Sequence, residues 1–171
     1  MNKIAKITMA ILAVGFINTA NAESPACATV NEQEVKALFD RWNDSLKTHD
    51  PEVVAANYAP DAVLLPTVSN KPRTNHDEIK AYFVDFLKKD PQGTIDTRTI
   101  KIGCNIAQDV GTYTFSLKGG KKVAARYTYV YEYVGDKWLI AHHHSSAMPE
   151  VTASTHVKKH HHKQHRHPKI H

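Results

Sequence analysis

Five consecutive polar side chains, His142-His143-His144-Ser145-Ser146, lie in a stretch that begins Lys137-Trp138-Leu139-Ile140-Ala141 and ends Ala147-Met148-Pro149-Glu150. An imidazole titrates near neutrality, hydrogen-bonds through either nitrogen and ligates metals. Three in a row, inside what reads as the last strand of a sheet, mark a place where that strand meets a cavity, water or another subunit. The strand before it runs from Val123 to Val134, and the two-residue turn Gly135-Asp136 joins the two. Counting back from that turn sets Trp138 opposite Tyr133, Ile140 opposite Tyr131, His142 opposite Tyr129 and His144 opposite Tyr127. One face of the hairpin then carries the tyrosines with His142 and His144. The other carries Arg126, Thr128, Val130, Glu132, Leu139, Ala141, His143 and Ser145. Tyrosines and imidazoles on a shared face satisfy one another in a core, line a pocket, or form a subunit contact.

The second concentration of chemistry is the tail, Val151 to His171. It holds His156, His160, His161, His162, His165, His167 and His171 and no acidic residue. Neutral imidazoles on a loose chain chelate zinc, nickel or copper, with an affinity that falls as they protonate. Their spacing is irregular, broken by Lys, Arg and Pro, and the composition is that of a disordered basic extension. The expectation is a metal-capable tail without a preformed site, and no cofactor in the folded domain.

The ends of the chain also set its compartment. Lys3 and Lys6 precede an apolar run, Ile7 to Ile17, too short for a permanent span, and Ala20-Asn21-Ala22 fits a cleavage site. Residues 1–22 therefore read as a signal peptide cut after Ala22, giving a periplasmic or secreted protein with no membrane span after processing. In an oxidising compartment the two cysteines, Cys27 and Cys104, are expected to pair. Closing so long a loop is worth about 4 kcal/mol by the chain-entropy estimate. The sequence has 22 Lys+Arg against 17 Asp+Glu, but seven of the cations lie in the leader and the tail. Removing those seven leaves 15 cations against 17 anions, so the folded part offers no electrostatic case for nucleic acid.

The elements that position these residues follow from caps and periodicity. Asn31-Glu32-Gln33-Glu34 is a capping box, and Val35, Leu38, Phe39, Trp42 and Leu46 follow at helical spacing to about Lys47. Asp50-Pro51 starts a short second helix that Pro60 stops. Asp61 to Pro66 reads as a short strand. Asn75 caps a third helix with Ile79, Tyr82, Phe83, Phe86 and Leu87 on one face. From Thr94 the period changes to two: Thr94 to Gly103, Ala107 to Leu117, a turn at Lys118-Gly119-Gly120-Lys121, then the two strands above. Helices followed by an antiparallel meander define an α+β domain over residues 23–150, with three helices laid on one face of a curved sheet.

The order of elements, with "RWNDSLKTHDPEVVAANYAPDAVLLP" (Arg41 to Pro66) and "DKWLIAHHHSSAMPE" (Asp136 to Glu150), resembles the nuclear transport factor 2-like (SnoaL-like, cystatin-like) cone. Within it the chain is most similar to the association, or hub, domain of calcium/calmodulin-dependent protein kinase II and its stand-alone bacterial relatives. The specific parts are the Gly135-Asp136-Lys137-Trp138 turn, His142, His144 and Ser146, and Pro149. The chain has no kinase Gly-rich loop, His-Arg-Asp or Asp-Phe-Gly, so a kinase activity is not implied. What the resemblance implies is a self-associating domain, a dimer or higher ring, around a cavity for a small molecule. Trp42, Tyr113, Arg126, Tyr127, Tyr129, His142 and His144 are the expected ligand-binding set. The arginines that attract carboxylates in the kinase hub do not carry over: Tyr129 and Ser145 stand in their places, and Arg73 is the nearest substitute. The alternative implied is an isomerase or cyclase of the SnoaL or ketosteroid isomerase type, acting on a small hydrophobic carbonyl compound. His142 or His144 would be its base, oriented by Asp61 or Glu132, with Tyr113 or Tyr129 as donor.

Overall fold

The structure, a computed structural model, describes residues 26–149; the segment expected to be a signal peptide and the His-rich tail lie outside them. Three helices precede or interrupt the strands: α1 Glu32–Leu46, α2 Pro51–Ala55 and α3 His76–Leu87. Each starts on a side chain that meets otherwise unpartnered backbone N–H groups. Asn31 accepts from the Glu34 amide at 3.0 Å while Glu34 accepts from the Asn31 amide at 2.8 Å. Asp50 and Asn75 do the same for α2 and α3, accepting from Glu52 and Glu78 at 2.8 and 3.0 Å. The apolar stripe of α1, Val35, Leu38, Phe39, Trp42 and Leu46, is buried as its spacing requires.

Five strands, β1 Tyr58–Leu65, β2 Gln92–Gly103, β3 Ile106–Ser116, β4 Lys122–Val134 and β5 Lys137–Ala147, form one sheet in the order β1-β5-β4-β3-β2. The last four make the antiparallel meander. The sheet is not antiparallel throughout, however: β1 joins its edge parallel to β5, with Val63 beside His142 and Leu65 beside His144. Gly135 and Asp136 both take positive φ, 55° and 62°, the twist that a two-residue hairpin needs.

The expected β4–β5 register needs correcting. Trp138 and Ile140 do face Tyr133 and Tyr131, but the ladder then shifts, and His142 pairs with Val130, His143 with Tyr129, His144 with Thr128 and Ser145 with Tyr127. Ala141 is the extra residue of a bulge, buried next to the buried Ile140. Because side chains alternate, one inserted residue exchanges the two faces beyond it. His143 and Ser145 therefore turn toward the helices, and His142 and His144 turn away.

Cys27 and Cys104 are bonded, with Cα atoms 4.9 Å apart, tying the segment before α1 to the β2–β3 turn. The Ala28 amide adds a 2.7 Å hydrogen bond to Asn105 Oδ1. Among the described residues no helix is long and apolar enough to cross a membrane.

Candidate functional site

Between α1, α3 and the inner face of the sheet lies a partly open cavity of about 530 Å³, within the range of roughly 300–1,000 Å³ usual for small-molecule sites. Trp42 of α1, Phe83 and Phe86 of α3, Leu64 of β1 and Phe115 of β3 give it aromatic and aliphatic walls. Tyr113, His143, Ser145 and Thr67 supply hydroxyls and an imidazole, and Lys88, Lys89, Lys118 and Lys121 stand around it. The Thr67 and Ser145 hydroxyls are hydrogen-bonded to each other, fixing the loop after β1 to β5.

A directed hydrogen-bond chain runs from Trp42 through Tyr58 to His143. The Trp42 indole N–H can only donate, and it reaches the Tyr58 hydroxyl oxygen at 3.1 Å. Tyr58 in turn lies 2.8 Å from His143 Nδ1, the one acceptor its own hydrogen meets among the described residues. The phenol therefore donates to Nδ1, and the ring hydrogen of the neutral imidazole sits on Nε2. His143 is 4% exposed and stacks on Tyr129 with ring centroids 4.1 Å apart. Burial, with a small push from His144, lowers its pKa from 6.5 to about 3. Nε2 has no hydrogen-bond partner among the described residues, nor do the buried hydroxyls of Tyr129 and Tyr131. Burial raises the phenols of Tyr58 and Tyr129 well above their ordinary value.

Among the described residues no helix lies over the opposite face of the sheet. Strand pairing sets Leu65, His144, Thr128 and Val110 in one row and Val63, His142, Val130 and Gln108 in the next. Leu65 is 40% exposed and Ile106 37%. A shallow hollow there is lined by Val63, Leu65, Ile106, Val130, Glu132 and the histidines.

The expected residues divide between these two places. Trp42 and Tyr113 line the cavity. Tyr127 and Tyr129 are buried behind it, Tyr127 donating to Asp109 at 2.9 Å. His142 and His144 are exposed on the outer face with Glu132, so they do not join Tyr113 in the cavity. Arg126 is exposed and bonded to Ser146 at 3.2 Å. Asp61 is exposed on β1 and lines neither space. Arg73 lies over the Tyr82 ring, 5.7 Å from its centroid. Sequence reasoning passed over Tyr58, His143 and the cavity lysines. It also passed over a buried ion pair: Asp109 is 0% exposed, and Arg98 Nε approaches its two oxygens at 3.1 and 3.0 Å. Burial raises the Asp109 carboxyl, with Tyr127 and Arg98 opposing.

A curved five-stranded sheet carrying three helices around an aromatic cavity defines the nuclear transport factor 2-like, cystatin-like class. A cystatin-like protein from Nostoc punctiforme, 16% identical, aligns with a TM-score of 0.62 over 74% of this chain and 98% of its own. A nuclear transport factor 2-like protein from Pseudomonas putida, 18% identical, aligns at 0.63 over 74% and 93%. Within that class, the model of the calcium/calmodulin dependent protein kinase II association domain matches residues 31–149. A Xanthomonas campestris protein named for the same domain is 51% identical, covering 74% of this chain and 96% of its own with a TM-score of 0.68. The chain belongs to the calcium/calmodulin dependent protein kinase II association domain family. No curated protein matches it.

Proposed function

We propose that the protein is an exported association domain that assembles with copies of itself through the outer face of its sheet and shelters a small molecule without transforming it. One observation carries the assembly: among the described residues no helix covers the face built by Val63, Leu65, Val130, His142 and His144, in a chain of an association-domain family. Apolar side chains set among imidazoles on an open sheet face suit a partner surface of the same kind. The leader-like first residues and the disulfide support export.

The non-catalytic reading rests on His143. Its Nδ1 lone pair is engaged by Tyr58 and its other nitrogen carries hydrogen, so the imidazole in the cavity has no free lone pair to act as a base. The exposed imidazoles are on the wrong face. The tail completes the proposal as a pH-sensitive chelator of zinc, nickel or copper, with no cofactor in the domain.

Light scattering on the mature protein is the test of assembly. A multiple of the subunit mass is expected, with the intact mass of each chain starting at Glu23. Val130→Arg, at the centre of the outer face, is expected to give a folded monomer. A monomeric unmutated protein overturns the assembly. For the tail, calorimetric titration with zinc is expected to show uptake by the full chain and none by a chain ending at Glu150; equal uptake by both removes the tail from the proposal.

A further inference from the structure

We propose that the cavity takes an amphipathic anion, its apolar body against the aromatic wall and a single negative head group among the lysines. The proposal rests on reading the cavity as a small-molecule site and names the class of ligand. Lys88 and Lys89 follow α3, and Lys118 and Lys121 belong to the turn between β3 and β4. The Lys118 amide donates to the Lys89 carbonyl at 2.7 Å, so the two segments are held together and their side chains share one side of the opening.

The charge there is largely uncompensated. Lys88 is paired with Asp85 at 2.7 Å, but Lys89, Lys118 and Lys121 have no carboxylate within 4.0 Å among the described residues. Among the described residues no acidic one lines the cavity. Three ammonium groups of like sign repel one another, and a bound anion relieves that repulsion. Behind them the walls are Trp42, Phe83, Phe86 and Phe115, with few groups to satisfy a polyhydroxylated molecule. A cation meets its own sign at the opening. Inorganic phosphate uses the lysines and leaves the aromatic wall unused. A chain of apolar carbons ending in one negative charge uses both.

Octanoate, octanol, octylammonium and acetate separate these contributions, titrated into the full chain with tryptophan fluorescence and calorimetry as readouts. Octanoate is expected to bind most tightly, octanol about tenfold more weakly, octylammonium more weakly again, and acetate not to saturate. The variant Lys89→Gln/Lys118→Gln/Lys121→Gln is expected to lose about tenfold for octanoate and nothing for octanol. Both proteins carry the same basic tail, so its contribution cancels. Octanol binding as tightly as octanoate, or a triple variant unchanged toward octanoate, overturns the anion and leaves the cavity standing as an apolar site. Failure of all three eight-carbon compounds to bind overturns the cavity reading itself.

Discussion

At the scale of single residues, His143 governs how the fold responds to acid. The folded protein holds its imidazole at a pKa of about 3, against 6.5 for the ordinary group. The unfolded chain therefore takes up a proton that the folded chain refuses. Stability from this group is fully present above about pH 6.5 and is lost as pH falls from there toward 3. Between pH 6.5 and 4.5 the loss amounts to about 2 kcal/mol. His143→Gln removes the titration while keeping an N–H at similar reach. It is expected to be less stable at pH 7, because the contact with Tyr129 goes, yet to lose about 2 kcal/mol less than the parent on moving to pH 4.5. Urea unfolding at the two pH values measures this, and parallel losses in both proteins would refute it. The same residue shows the limit of reading side chains by type. Three successive histidines are chemically equivalent on paper, and their fates differ only through which face each is given.

That assignment belongs to the scale of elements. The hairpin, its turn and its first pairs are legible because Gly135-Asp136 fixes the start of the count. The bulge at Ala141 was not, because no residue type near it requires one and small apolar residues suit either a bulge or a regular ladder. Helix starts were legible to the residue at Asn31, Asp50 and Asn75, since a cap is a local hydrogen-bonding device. The parallel seating of β1 against β5 was not, because a non-local pairing between strands separated by the whole meander leaves no mark in either segment. The cavity lysines escaped for a similar reason, since they come from segments distant in sequence; Arg98 and Asp109 lie on adjacent strands, but Arg98 pairs with Gly111 and reaches Asp109 only diagonally, after the β2 irregularity.

A second irregularity, in β2, makes a prediction at this scale. The β2–β3 ladder shifts between Ile95 and Thr97, and Gly111 lies against the displaced backbone. A Cβ there would stand 1.9 Å from the Thr97 carbonyl oxygen and 2.7 Å from its carbon. Both obstacles are main-chain atoms, so no side chain can move aside. Gly111→Ala is expected to cost about 3 kcal/mol or more, or to prevent folding. Gly119→Ala is the matched control, since open space surrounds its Cβ position and only its φ of 80° opposes the change. Equal thermal midpoints for Gly111→Ala and the parent would mean that the two strands do not approach as closely as described.

For the whole molecule, the question is what holds the start of the domain to the cone. The segment before α1 contributes no strand, and its ties to the β2–β3 turn are the Cys27–Cys104 bond and the Ala28–Asn105 hydrogen bond. Neither cysteine belongs to the hydrophobic core, which is assembled from residue 35 onward. The bond therefore acts chiefly on the unfolded chain, by closing a loop between residues 77 positions apart. The chain-entropy estimate for such a loop is about 4 kcal/mol. The double variant Cys27→Ser/Cys104→Ser is expected to keep the circular dichroism of the parent and its assembly state, while its urea midpoint falls by an amount equivalent to about 4 kcal/mol. The two readouts separate two roles. A lowered midpoint with intact assembly assigns the bond to the subunit's own stability, and the outer sheet face remains the seat of association. Dissociation of the variant under conditions where it is still folded would instead place the N-terminal segment in the subunit contact, and the outer-face proposal would then fail.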